Sequence, residues 1–152
     1  MAGSRRAGCG PAALGRARSV SLADVSAAIR LSIPASSAWV VLVRTAATAC
    51  CARLDFDVER LEDVRLAVDE VAALLVDNAV AGTDVDCELT PHDDGRLDIA
   101  LSAETASGAL PPTDTFAWAV LTALVDDVTA TVDAHRTTVV LRTSRSAASV
   151  GA

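Results

Sequence analysis

Over Ala28 to Ile33 the apolar residues Ile29, Leu31 and Ile33 alternate with Arg30 and Ser32, the period of a half-buried strand, and Pro34 ends the run. Ser36 and Ser37 can then cap a helix running to about Ala52, with Val40, Val43, Ala47 and Cys50 or Cys51 on its apolar face. A second helix is better marked. Asp57 can cap it, and Leu61, Val64, Val68, Val71, Leu75 and Ala79 recur every three or four residues as one buried stripe. Glu59, Glu62, Asp63, Asp69, Glu70 and Asp77 lie opposite, and Gly82 is placed to close the helix as a C-cap.

Beyond Gly82 the period shortens to two. Val85, Cys87 and Leu89 form one strand, Pro91 to Gly95 supplies a turn, and Leu97, Ile99 and Leu101 form a second strand. The segment Ser102 to Asp114, with Gly108 and the pair Pro111 and Pro112, reads as a loop long enough to serve as a lid or contact loop. A short helix from about Thr115 to Val125 follows, then strands near Val128 to Val132 and Thr137 to Arg142 joined by a turn. The order β, α, α, β, β, α, β, β predicts an α+β domain: a mixed sheet in two layers, its helices on one face.

A chain of 152 residues holds one such domain, expected over residues 28–143, between a disordered basic tail at 1–27 and a flexible tail at 144–152. No apolar run approaches the roughly 18–20 residues that a membrane span needs. All 13 basic residues are arginines, four of them within the first 18 positions, where no acid occurs. Residues 19–143 hold 8 arginines against 20 carboxylates, a formal charge of −12. Such a body repels nucleic acid, and its charge serves either solubility or the steering of a basic protein. Cys9, Cys50, Cys51 and Cys87 lack metal-ligand spacing, which points to a reducing cytoplasm without disulfides or zinc, and leaves open whether the cysteines sense oxidation. His92 and His135 fall in separate turns and suggest no catalytic pairing.

Three segments in order, LDFDVERLEDVRLAVDEVAALLVDNA, RLDIALSAE and FAWAVLTALVDDV, resemble the RsbW/UsfX-type anti-sigma factors, in particular the actinobacterial branch that controls a general-stress sigma factor. The resemblance covers about residues 28–143. It implies the histidine kinase-like (GHKL, or Bergerat) ATPase fold shared with gyrase and Hsp-type chaperones. It also implies a homodimer that silences an alternative sigma factor and is relieved by an anti-anti-sigma (STAS-type) protein, which family members phosphorylate on serine with ATP and Mg²⁺.

The family's general base falls on Glu70. One turn on, where the family has a Mg²⁺-binding asparagine, stands Leu74, whose isobutyl group offers no lone pair to a hard cation. Asn78 is a further turn away, displaced by about 6 Å along the axis at about 1.5 Å per residue. The adenine-binding aspartate aligns with Ala103, and Glu104 is one position off and faces the other side of a strand. Of the glycine-rich lid only Gly108 remains. Thr115, Phe116, Ala117 and Trp118 replace the glycines that open the phosphate-binding helix, and Phe116 and Trp118 are expected to fill the pocket or the core. In the family an arginine near the middle of helix one contacts sigma, a position that aligns with Arg44.

The expectation is therefore an anti-sigma factor with a degenerate nucleotide site, needing no cofactor. The alternatives are an active ATP-dependent serine/threonine kinase, in which Glu70 is catalytic and Asn78, Glu104 and Gly108 assist nucleotide binding, and an acidic interaction module of the same fold. Neither nucleic acid nor membrane is an expected partner.

Overall fold

The computed structural model describes residues 27–145. Strand β1 (Ile29–Pro34) leads through a short 3₁₀ turn to helix α1 (Val40–Arg53) and helix α2 (Val58–Asn78). Strands β2 (Asp84–Pro91) and β3 (Arg96–Glu104), helix α3 (Phe116–Leu124), and strands β4 (Asp127–Asp133) and β5 (Arg136–Ser144) follow. Of the expected tails at 1–27 and 144–152, residues 1–26, with Cys9, and 146–152 lie outside the described residues.

The 3₁₀ turn before α1, and helices α2 and α3, each start where a side chain can satisfy the first amides. Ser36 accepts from the Ala38 amide and starts the 3₁₀ turn, and α1 continues it from Val40. Asp57 Oδ1 accepts from the Arg60 amide at 2.8 Å, and Thr115 Oγ1 from the Trp118 amide at 3.3 Å. Such caps are each worth about 1 kcal/mol. The expected end of α2 at Gly82 is corrected. The helix stops at Asn78, because Ala79 bridges Thr105 and the Val80 amide donates to the Glu104 carbonyl, drawing the chain onto the end of β3. Gly82, at φ +79°, sits in the turn that follows.

The five strands run in the order β1-β2-β3-β5-β4. Every neighbouring pair is antiparallel, which corrects the expectation of a mixed sheet. The crossover through α3 does bring β4 into the same direction as β3, but β5 folds back from β4 and inserts between them. Strand β5 also runs to Ser144, past the expected end at Arg142, held by pairing of Arg96 with Ser144.

Period-two alternation puts Val85, Cys87, Leu89, Leu97, Ile99, Leu101, Ala103, Val139 and Leu141 against the helices, all of them buried. From the helical side come Val43, Ala47, Cys50 and Cys51 of α1, Val64, Val68, Val71 and Leu75 of α2, and Leu121 of α3. Fully burying such a Leu or Val contributes about 1.5–3 kcal/mol before entropy is counted, so this one layer holds the domain together. The sheet's other face is polar and carries the ion pairs Arg30–Glu88, Arg136–Asp86 and Arg142–Asp127.

At one end of the domain Arg60 is nine-tenths buried. Its guanidinium donates to the carbonyls of Ser144 (3.1 Å) and Leu124 (3.1 Å) and to the Asp126 carboxylate. Asp126 also accepts from the Ser144 hydroxyl at 2.9 Å. One side chain thus joins the first turn of α2 to the end of α3 and the outer end of β5.

Candidate functional site

Two surfaces are built around α1 and α2. The first is a cleft of about 190 Å³ between the C-terminal half of α2 and the loop 105–115. Leu74 and Asn78, one turn apart, form its helical wall, and Ala109, Leu110, Pro111 and Pro112 form the loop wall. At its base Thr105 and Thr137 share a hydroxyl hydrogen bond of 2.9 Å. Among the described residues, none that lines it is charged. Its polar groups already have internal partners: Asn78 Nδ2 donates to the Leu74 carbonyl (2.7 Å), and Ser107 Oγ accepts from the Ala109 amide (3.3 Å). The volume is below the roughly 300–1,000 Å³ usual for ligand pockets.

The residues singled out in the sequence separate here. Leu74 and Asn78 line the cleft, whereas Glu70 is exposed a turn before Leu74 and does not. Ala103 is buried and Glu104 exposed, as strand alternation requires. Gly108 (φ +56°) turns away from the cleft and packs on the β4–β5 hairpin, where a Cβ would lie 2.8 Å from His135 Nδ1. A side chain at position 108 would therefore be strained at this positive φ and would require the exposed His135 ring to move aside. His92 is placed in the other hairpin, with Nε2 3.1 Å from Asp98 Oδ2, so the two histidines share no site.

The expectation for Phe116 is corrected: it is 85% exposed and fills neither pocket nor core, because the first position of α3 points it outward. Trp118 is the one that packs against the core.

The second surface is the outer side of α1. Trp39, Val41 and Leu42 are each 44–49% exposed, beside Thr45 and Ala49. Arg44 is the only charged residue of α1 before Arg53. Its guanidinium reaches across to α2 and donates to Asp69 at 3.0 Å. Arg65 approaches the same carboxylate at 3.8 Å. Arg44 is about one-third exposed and Asp69 slightly less, so both remain within reach of a docking protein.

Thr137 was not singled out in the sequence, and Asp69 was read only as part of the polar face of α2. Continuing the inward parity of β3 past Ala103 reaches Thr105, and that of β5 reaches Thr137. Their meeting depends on the β3–β5 pairing, which skips β4 and has no local signal.

The remaining chemistry is quiet. Among the described residues no cluster of His, Cys, Asp or Glu could hold a metal ion, and no helix is long and apolar enough to cross a membrane. Cys50, Cys51 and Cys87 are free and buried. Burial pushes the thiols of Cys51 and Cys87 up to about 12, with the neighbouring Cys50 adding to it. Since the thiolate is the reactive form, these groups should resist oxidation. A thiol reagent at pH 8 is expected to label all three only as fast as the chain unfolds. The linkage sign follows from the same shift. The unfolded chain loses these protons first, so stability is full below the unfolded thiol value and declines from about pH 9 towards about pH 12. Rapid stoichiometric labelling of the folded protein would contradict this.

A single antiparallel sheet covered on one face by three helices, with a loop-closed cleft beside α2, defines a two-layer α+β domain with the histidine kinase-like fold. A crystal structure of the RsbU and RsbW domains of a Mycobacterium tuberculosis protein superposes with a TM-score of 0.61 at 18% identity, covering 77% of this chain and 31% of that one. In sequence, the anti-sigma-F factor RsbW of two Mycobacterium tuberculosis strains, CDC 1551 / Oshkosh and H37Rv, is 34% identical over 101 residues. That alignment takes in 66% of this chain and 60% of the relatives, so less than two thirds of their length is spanned. No family model matches the chain. The chain is thus similar in sequence to the anti-sigma-F factor RsbW and in fold to an RsbW-containing protein.

Proposed function

We propose that the chain is an anti-sigma factor that binds a stress-response sigma factor through the outer side of α1, and that it does so without nucleotide. The observation that carries this reading is the exposed, nearly uncharged surface of Trp39, Val41, Leu42 and Thr45 with Arg44 at its margin, on the helix that meets sigma in the family. Apolar area with one directional charge is the make-up of an interface core. Release by an anti-anti-sigma protein and a cytoplasmic location belong to the same reading.

Independence from nucleotide is supported by the cleft. A triphosphate needs cationic or amide donors and Mg²⁺ needs oxygen ligands, whereas this cleft is small, uncharged and presents Leu74 at the metal position. Glu70 is exposed and does not line the cleft, a placement that argues against the kinase reading. ATP with Mg²⁺ is expected to bind more weakly than about 1 mM, a free energy smaller than about 4 kcal/mol. Calorimetry giving micromolar, Mg²⁺-dependent binding would reverse this conclusion. Capture of sigma should be equal with and without ATP.

The assembly is proposed to be a homodimer, supported by the outer edge of β1, which is unpaired among the described residues, and by Ile29, 45% exposed on that strand. Light scattering at tens of micromolar should give twice the chain mass, and a monomer there overturns it.

A further inference from the structure

Residues 105–135, which comprise the loop, α3 and β4, contain four aspartates (Asp114, Asp126, Asp127, Asp133) and no arginine. Asp126 and Asp127 are met by Arg60 and Arg142 from other elements. Asp114 and Asp133 have no such partner among the described residues.

Among the described residues β4, within this acidic segment, is an edge strand paired only with β5. Its sequence, DVTATVD, has high β-propensity and carries no proline or lysine, the usual guards of an open edge. Beside the edge runs a largely apolar groove of about 500 Å³, lined by Leu110, Pro111, Pro112, Trp118, Val128 and Ala130 together with two threonines. Leu110 is 60% exposed. Unpaired backbone groups and an adjoining apolar groove are the two parts needed to add a strand, one for affinity and one for side-chain selection.

We propose that β4 and this groove bind an extended segment of a partner protein as a sixth strand, with an apolar side chain seated against Trp118 and Pro112 and basic residues flanking it. The uncompensated carboxylates at 114 and 133 select the charge of that segment. This surface is separate from α1 and stands whether or not α1 binds sigma.

The test uses the full chain carrying Trp39→Phe, which leaves Trp118 as its single indole. The probe is the capped nonapeptide Arg-Arg-Val-Thr-Val-Thr-Val-Arg-Arg. It is expected to bind with a Kd of roughly 10–100 µM at low salt, to shift Trp118 fluorescence, and to slow amide exchange at residues 128–132. The same core flanked by glutamates should bind at least tenfold more weakly. Asp114→Asn with Asp133→Asn should weaken the arginine peptide about fivefold and flatten its salt dependence, with the melting temperature unchanged. Leu110→Ser, at an exposed position, should also weaken it without unfolding the protein. Protection on α1 instead of β4, equal binding of the glutamate peptide, or β4 already protected in the free protein by its own tail or a second copy would each overturn the proposal.

Discussion

Replacing Arg60 with alanine is expected to destabilise the domain by about 3 kcal/mol, the largest effect of any polar substitution here. The loss has two parts. The carbonyls of Leu124 and Ser144 lose their charged donor, and Asp126 loses the cation that balances it. Bonds to a charged donor are worth about 1.5–3 kcal/mol each, and partial rehydration of Asp126, about one-quarter exposed, returns some of that. Arg60→Met keeps the aliphatic packing and should cost less than Arg60→Ala. Asp126→Asn keeps an acceptor for the guanidinium and should cost least. Urea denaturation reads all three. Equal midpoints for Arg60→Ala and the parent would mean that Arg60 is only packing.

Arg44→Ala is expected to weaken sigma binding at least tenfold while lowering stability by no more than about 1 kcal/mol. The small stability term follows from exposure: the Arg44–Asp69 pair is one-third open to water, and such pairs contribute about 0–1 kcal/mol. At a desolvated interface the same guanidinium is worth more, and truncating one side of such a pair costs about 2–5 kcal/mol. Asp69 separates two roles for Arg44. If Arg44 reaches a sigma carboxylate, Asp69→Asn frees it and leaves binding unchanged or tighter. If Arg44 only braces α1 against α2, Asp69→Asn weakens binding as Arg44→Ala does, and the contact assignment fails. Leu42→Asp, which puts a charge into the exposed apolar surface, should reduce binding further without unfolding the chain. Raising salt from about 50 to about 300 mM should slow association through the acidic body, since charges are screened over about 10 Å at about 0.1 M.

Much of the architecture was legible along the chain because its signals are local. The period of α2 and its Asp57 cap, the alternation of β2 and β3, and the turn at Gly95 each depend on residues within a few positions of one another. They recur in the structure nearly where they were read. Failures occurred where a distant segment intervened. Gly82 offered a good helix stop, yet pairing of Ala79 and Val80 with the end of β3 ended α2 sooner. Apolar character alone assigned Phe116 to the interior, but burial depends on which way the first turn of α3 faces.

The same division runs through the candidate site. By itself the sequence determined that Leu74, which has no oxygen to offer a cation, stands one turn after Glu70 and that α1 carries one arginine in a neutral run, because identity and spacing are properties of the chain. Only the tertiary structure decided that Arg44 is shared with Asp69, that Thr105 meets Thr137 at the base of an uncharged cleft, and that β4 forms an open edge beside an apolar groove. Each depends on packing between residues 25 or more positions apart in the chain or on an edge left without a neighbour, and neither leaves a periodic trace in the local pattern of apolar and polar residues.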